Sequence, residues 1–427
     1  MLDKIVVSAF TACLLLSSCG GSKQSGNGFN GATKEELADL NIYKTDSPYA
    51  DIAADCARAK TENEYCTFKE LPLLGMESES PSIADVMNRL VVSHSWMGDH
   101  FEALLLRYPS EFLYLFRGIT AIVIDDDIRP AYYTATTGAI YLDPAYLWLS
   151  NGDKATINQK SDFRSDYADP LIFRSVGRYI KDGEYAYSFA PLTGLEERGI
   201  EDIEYLMARL LLHELAHAND YFPYDSYDDI NTNNTPAQSW GILRGAFVSD
   251  RLYRSSRLTS DKMHSLADVM YNGKNPTAED IATTATEAGA AFESDTAADD
   301  YAYTSQYEDI AMLFEIAMMK YFWGIDYDTG FLAAPVEGCG ELGWAQRNRI
   351  GDNNVKDRAQ FVTNALMPHI DMTMFYQDLE TAKDFVESSG WCLPADIAGE
   401  DNGNTSLQKP HHGHEHHPHM EVLKPYL

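Results

Sequence analysis

Apolar residues recur along this chain with two different periods, and the change between them marks out its elements. From Ser82 the stretch SIADVMNRLVVSHSWMGDHFEALLLRYPSEFLYLF spaces its apolar residues by three and four, which predicts helix. The β-branched run Ile119 to Ile124 then reads as a buried strand, ended by Asp125, Asp126, Asp127 and Pro130. YYTATTGAIYLDP reads as a further strand, stopped at Pro144, and residues 151–200 read as loop. A long helix is predicted from Glu201 to Tyr221, with acids at its start to complement the helix dipole and Pro223 beyond its end. Residues 225–300 are polar, with short helices expected around 260–270 and 278–292. Helices follow at 307–324, closed by Gly324, and at 355–370. Strands early and helices late, with no internal repeat, predict an α+β fold with a helix-rich core.

Composition narrows the class. The 427 residues are 45% hydrophobic, enough for one large domain or two medium ones with a substantial core. A net charge of −32 argues against nucleic-acid binding, which needs a basic surface to displace counterions. At the N-terminus, Ile5 to Leu16 is apolar but too short to span a bilayer, and small residues follow it, as in a secretory signal. Leu16-Ser17-Ser18-Cys19 resembles the lipobox of bacterial lipoproteins, which implies lipidation at Cys19. Gly20 and Gly21 after it imply the outer membrane, with a periplasmic or surface-facing body and a membrane contact through the lipid only. The expected organisation is a signal peptide at 1–18, a lipidated flexible tether at 19–40, one domain at 41–400 and a tail at 401–427. With Cys13 removed and Cys19 lipidated, Cys56, Cys66, Cys339 and Cys392 remain for an oxidising compartment. Cys56–Cys66 with Cys339–Cys392 is the local choice among three pairings. The tail holds six histidines within 411–419; it cannot build a core, but it can bind Zn²⁺, Ni²⁺ or Cu²⁺ loosely.

The predicted helix at 201–221 carries His213-Glu214-Leu215-Ala216-His217. Residues four apart lie one turn apart on one face, so both imidazoles can reach a single ion. Zn²⁺ accepts two nitrogens and an oxygen and keeps a position open for water. Glu214 beside the first histidine is placed to act as general base. The bland alternative is a pair of satisfied core histidines, but unpaired polar groups inside LMARLLLHELAHA are costly. The third ligand is sought in YEDIAMLFEIAMMKYFWG, an almost wholly apolar helix with three acids, Glu308, Asp309 and Glu315. Asp220 also shares the histidine face, as a ligand or, more naturally, as a partner orienting an imidazole.

HELAHANDY and YAYTSQYEDIAMLFE together resemble the two motifs of the gluzincins, the thermolysin-like zinc peptidases. The nearer likeness is to the catalytic domain of anthrax lethal factor and its bacterial relatives. The resemblance implies a zincin-like α+β domain hydrolysing a peptide or protein substrate with Zn²⁺ as cofactor. It implies His213, His217 and Glu308 as ligands, Glu214 as base, and Tyr301 as the phenol steadying the oxyanion, with Tyr303 its alternative. The chain departs from the pattern in three places. The interval between the motifs is long, so 225–300 is an insertion that caps or lines the cleft. Met312 stands where relatives often place an acid one turn after the ligand, so a contact behind the metal is expected to be missing. Asp220 is the third departure.

TTGAIYLDP is a candidate edge strand for pairing an extended substrate. Arg347, Arg349, Lys356 and Arg358 gather basic charge near 345–360, as a salt-bridged support or a carboxylate clamp. The reading that follows is a lipid-anchored zinc endopeptidase. Its rival is a zinc-binding or zinc-carrying lipoprotein that cleaves nothing.

Overall fold

The computed structural model describes residues 31–160, 162–164, 167–334, 339–385 and 391–392. The expected signal segment, Cys19, most of the expected tether and the histidine tail lie outside the described residues. Among the described residues no helix is long and apolar enough to cross a membrane.

Two five-stranded sheets flank a helical middle. In the first the order is Asn41–Ile42, Leu90–Val92, Ile122–Ile124, Ala139–Leu142, Tyr132–Thr134, with the central three strands parallel and the outer two antiparallel. Leu90–Val92 and Ile122–Ile124 are buried throughout, as parallel strands covered on both faces require. The second sheet is antiparallel, in the order Lys383–Asp384, Leu342–Arg347, Asp326–Ala333, Phe173–Lys181, Glu184–Tyr185.

The structure departs from several sequence expectations. The stretch read as helix from Ser82 is broken by the strand Leu90–Val92, between helices Ile83–Met87 and Ser95–Leu105, and it ends in the 3₁₀ helix Ser110–Gly118. Three residues are too few to display a strand period inside an apolar run. Residues 151–200, read as loop, contain the nine-residue strand Phe173–Lys181. YYTATTGAIYLDP is a hairpin of two strands, and its second strand lies between two neighbours rather than at an edge. Strands are not confined to the early chain, since Asp326–Ala333 and Leu342–Arg347 follow the main helices. The mixed α and β composition stands.

The helix Ile200–Tyr221, called the motif helix below, has Glu201 and Asp202 in its first turn, where Asp202 accepts the Gly199 N–H at 2.7 Å. It is buried from Leu206 to Tyr221 and packs against the 3₁₀ helix Ser110–Gly118. Gly118 makes that approach possible: a Cβ there would stand 2.8 Å from the Ala218 backbone. The helix Gln306–Trp323, the ligand helix, starts at Ser305, whose Oγ accepts the Glu308 N–H at 3.2 Å, and stops at Gly324 with φ of 67°. It lies along the motif helix and is buried from Glu308 to Met319.

Of the two expected disulfides, Cys56–Cys66 is formed, with Cα atoms 5.4 Å apart. Cys339 and Cys392 face each other in register across a two-stranded pairing; their side chains lie outside the described residues.

The 225–300 interval folds into Pro236–Leu243, Val248–Ser256, Asp261–Asn272, Ala278–Ala282 and Ala285–Glu293. It lines the helical middle rather than projecting from it: Trp240 and Phe247 pack on Tyr221, and Gln306 donates to Asp250 at 2.8 Å. The basic stretch near 345–360 is spent internally. Arg347 pairs with Asp328, Arg358 pairs with Asp309 of the ligand helix, and Arg349 donates to the carbonyls of Phe292, Asp295 and Ala297.

Candidate metal centre

The one-turn spacing of His213 and His217 puts both rings on the face of the motif helix that meets the ligand helix. Their ring centroids are 5.1 Å apart. Glu308, in the first turn of the ligand helix, reaches both: its Oε2 lies 2.9 Å from His213 Nε2 and 3.6 Å from His217 Nε2. Donor atoms of the three residues fall within 4.8 Å of one another, the one such group of three or more among the described residues. Two ligands 2.0–2.1 Å from a tetrahedral ion are themselves about 3.3 Å apart, and the measured separations bracket that figure.

The donor chemistry fits a cation. His213 Nδ1 is 2.7 Å from Glu315 Oε2, and in the neutral ring a proton there leaves Nε2 an acceptor. Nε2 and the Glu308 carboxylate then face each other as two acceptors that need a cation between them. His217 is fully buried and neither of its ring nitrogens has a hydrogen-bond partner. Burial alone would lower the His213 pKa, but hydrogen bonds and charge from Glu308 and Glu315 hold it up at about 9. Burial works against the Glu308 carboxylate, yet His217 and His213 hold its pKa down to about 2. Burial lowers that of His217.

Glu214 is fully buried one residue along, and neither carboxylate oxygen is hydrogen-bonded. Burial pushes its pKa up to about 8, against the pull of His213; the nearby Tyr133 backbone N–H pulls the same way without reaching hydrogen-bond geometry. Tyr133 belongs to Tyr132–Thr134, one of the two edge strands of the first sheet. Of the two tyrosines weighed for the oxyanion, Tyr301 lies beside His213, ring centroids 6.2 Å apart, while Tyr303 packs against His264 and Phe292.

Asp220 does not take the orienting place expected of it. Its Oδ1 accepts the Ser249 N–H at 2.8 Å, anchoring the start of helix Val248–Ser256, and burial raises its pKa to about 7. The contact expected to be missing at Met312 is supplied by Glu315, one turn further along the ligand helix. Arg209 donates to Glu315 Oε1 at 2.6 Å, and the Tyr179 hydroxyl donates to the same oxygen. The sequence marked Glu315 as a buried carboxylate and missed its two supports. Its spacing of seven from Glu308, and that of four from Arg209 to His213, were the available signals. Asp309, the remaining carboxylate weighed as a ligand, turns to Arg358.

No family model, no curated protein and no solved structure matches this chain, so the site stands on its own geometry.

Proposed function

We propose that this protein is a zinc-dependent endopeptidase, tethered through lipid on Cys19 to a bacterial outer membrane and facing the periplasm or the exterior. The observation that carries the reading is the convergence of His213, His217 and Glu308 with an unpartnered, buried Glu214 beside them. In this reading His213, His217 and Glu308 hold Zn²⁺. Zinc bound there supplies a Lewis acid and brings the pKa of water at the site to roughly 7. Glu214 takes a proton from the attacking water at a carboxylate oxygen and returns it to the leaving amine nitrogen. Tyr301 donates its hydroxyl proton toward the oxygen on which negative charge develops. The Tyr132–Thr134 edge offers backbone groups to an extended peptide.

Replacing Glu214 by Gln preserves shape and removes the base. Hydrolysis of an unstructured protein is expected to fall by roughly 10²- to 10⁴-fold, with one equivalent of zinc retained. Cleavage at the wild-type rate by the variant overturns the mechanism.

One observation favours the rival, a zinc-binding or carrier lipoprotein without activity. His213, Glu214 and His217 are fully buried, and Glu308 and Tyr301 are each 3% exposed. Deleting 409–420 separates the two: loss of tight zinc with the tail, together with no effect of Glu214→Gln on any activity, selects the carrier.

A further inference from the structure

Two tyrosines directly opposite each other in the second sheet, Tyr179 and Tyr327, reach the metal centre from behind on two separate routes. Their rings pack at 4.8 Å. The Tyr179 hydroxyl donates to Glu315 Oε1, and Glu315 Oε2 meets His213 Nδ1 at 2.7 Å. The Tyr327 hydroxyl donates to Asp299 Oδ2 at 2.6 Å, while Asp299 Oδ1 accepts the Tyr301 N–H at 2.8 Å. Glu315 and Asp299 are fully buried, and both tyrosines are at most 5% exposed. One route ends on the first metal-binding histidine, the other on the backbone of the residue placed beside it.

We propose that Tyr179 and Tyr327 are positioning residues. Tyr179 acts through Glu315 to fix the ring and tautomer of His213, and Tyr327 acts through Asp299 to set Tyr301 against it. The proposal rests on the metal-site reading above. Its physical basis is that a buried carboxylate has strong directional demands on its donors. Arg209 supplies Glu315 with charge, and Tyr179 adds a second directed donor to the same oxygen. Asp299 is likewise held from both oxygens, by Tyr327 on one and the Tyr301 amide on the other. Because the two tyrosines share one register position, the sheet sets the distance between the two halves of the site.

The test uses the full-length protein with Tyr179→Phe and Tyr327→Phe, changes that keep both rings and remove only the hydroxyls. Zinc affinity is read by competition with a chromophoric chelator, coordination by the visible spectrum of the cobalt-loaded protein, and turnover on an unstructured protein. Tyr179→Phe is expected to weaken metal binding about tenfold and to shift the cobalt spectrum, and Glu315→Gln to do the same by up to roughly 100-fold. Tyr327→Phe is expected to leave metal affinity within about twofold and to lower kcat about tenfold with KM unchanged. The proposal is overturned if Tyr179→Phe leaves affinity and spectrum unchanged, or if the two variants lose metal equally. Wild-type protein that holds no stoichiometric metal overturns the metal-site reading and the proposal with it. Wild-type protein that binds metal and cleaves nothing overturns only the peptidase reading, and the Tyr179→Phe arm still decides this one.

Discussion

Asp125 closes the strand Ile122–Ile124 and is fully buried, with Oδ1 accepting the Asp127 N–H at 3.0 Å and Oδ2 without a partner. Burial, followed by the charges of its acidic neighbours, pushes its pKa up to about 7. The folded protein therefore keeps a proton that the unfolded chain releases near pH 4. The associated stability is full below that value and is lost as pH rises through about 7. Asp125→Asn keeps the acceptor and removes the charge. A gain of about 2–4 °C in Tm at pH 8, and little change at pH 4, is expected in calorimetry. The same scale shows why some site residues were legible and others were not. His213, Glu214 and His217 declare themselves because one helical turn fixes their relative direction whatever surrounds them. Asp220 obeys the same spacing rule and still turns elsewhere, because the Ser249 amide, brought in by the inserted segment, captures its carboxylate. Spacing along one helix predicts a direction; a partner from a distant element decides what is met there.

Among elements, the two helices that carry the site fall within one residue of their sequence placement, Ile200–Tyr221 against 201–221 and Gln306–Trp323 against 307–324, as expected of strongly periodic segments, while the helix read at 355–370 runs Asn353–Leu366. The strand Phe173–Lys181 was hidden because FRSVGRYIK mixes Arg174, Arg178 and Lys181 into a pattern with no clean alternation. Its charge is absorbed across the sheet, where Arg178 and Arg347 both pair with Asp328, and no local rule can foresee that compensation. The start of the ligand helix is the element end on which most depends, since Ser305 caps the very residue that completes the metal group. Ser305→Ala is expected to cost about 1 kcal/mol of stability, read in chemical denaturation. Because the freed amide is that of Glu308, metal affinity is expected to fall as well, by several-fold in a chelator competition. A cap loss that lowers stability and leaves affinity untouched would show that the carboxylate is held by its contacts alone.

At the level of the whole molecule, the Cys56–Cys66 bridge pins the small cluster against the outer face of the first sheet, far in the chain from either metal motif. Closing so short a loop is worth about 2–3 kcal/mol in the chain-entropy account. Cys66→Ser is therefore expected to lower Tm while the metal bound per folded protein, measured beside the wild type, is unchanged. The second sheet has a different consequence. Phe173–Lys181 comes before the motif helix and its partner Asp326–Ala333 comes after the ligand helix, so their pairing ties shut a loop of chain that contains every residue of the centre. During synthesis His213, Glu214, His217 and Glu308 all emerge before the strand that closes this clasp. A chain stopped at residue 325 carries the complete donor set and is expected to bind zinc no more tightly than a disordered peptide of the same composition. Assembly of the group is therefore expected to wait until Asp326–Ala333 has paired with Phe173–Lys181, the step that closes this loop.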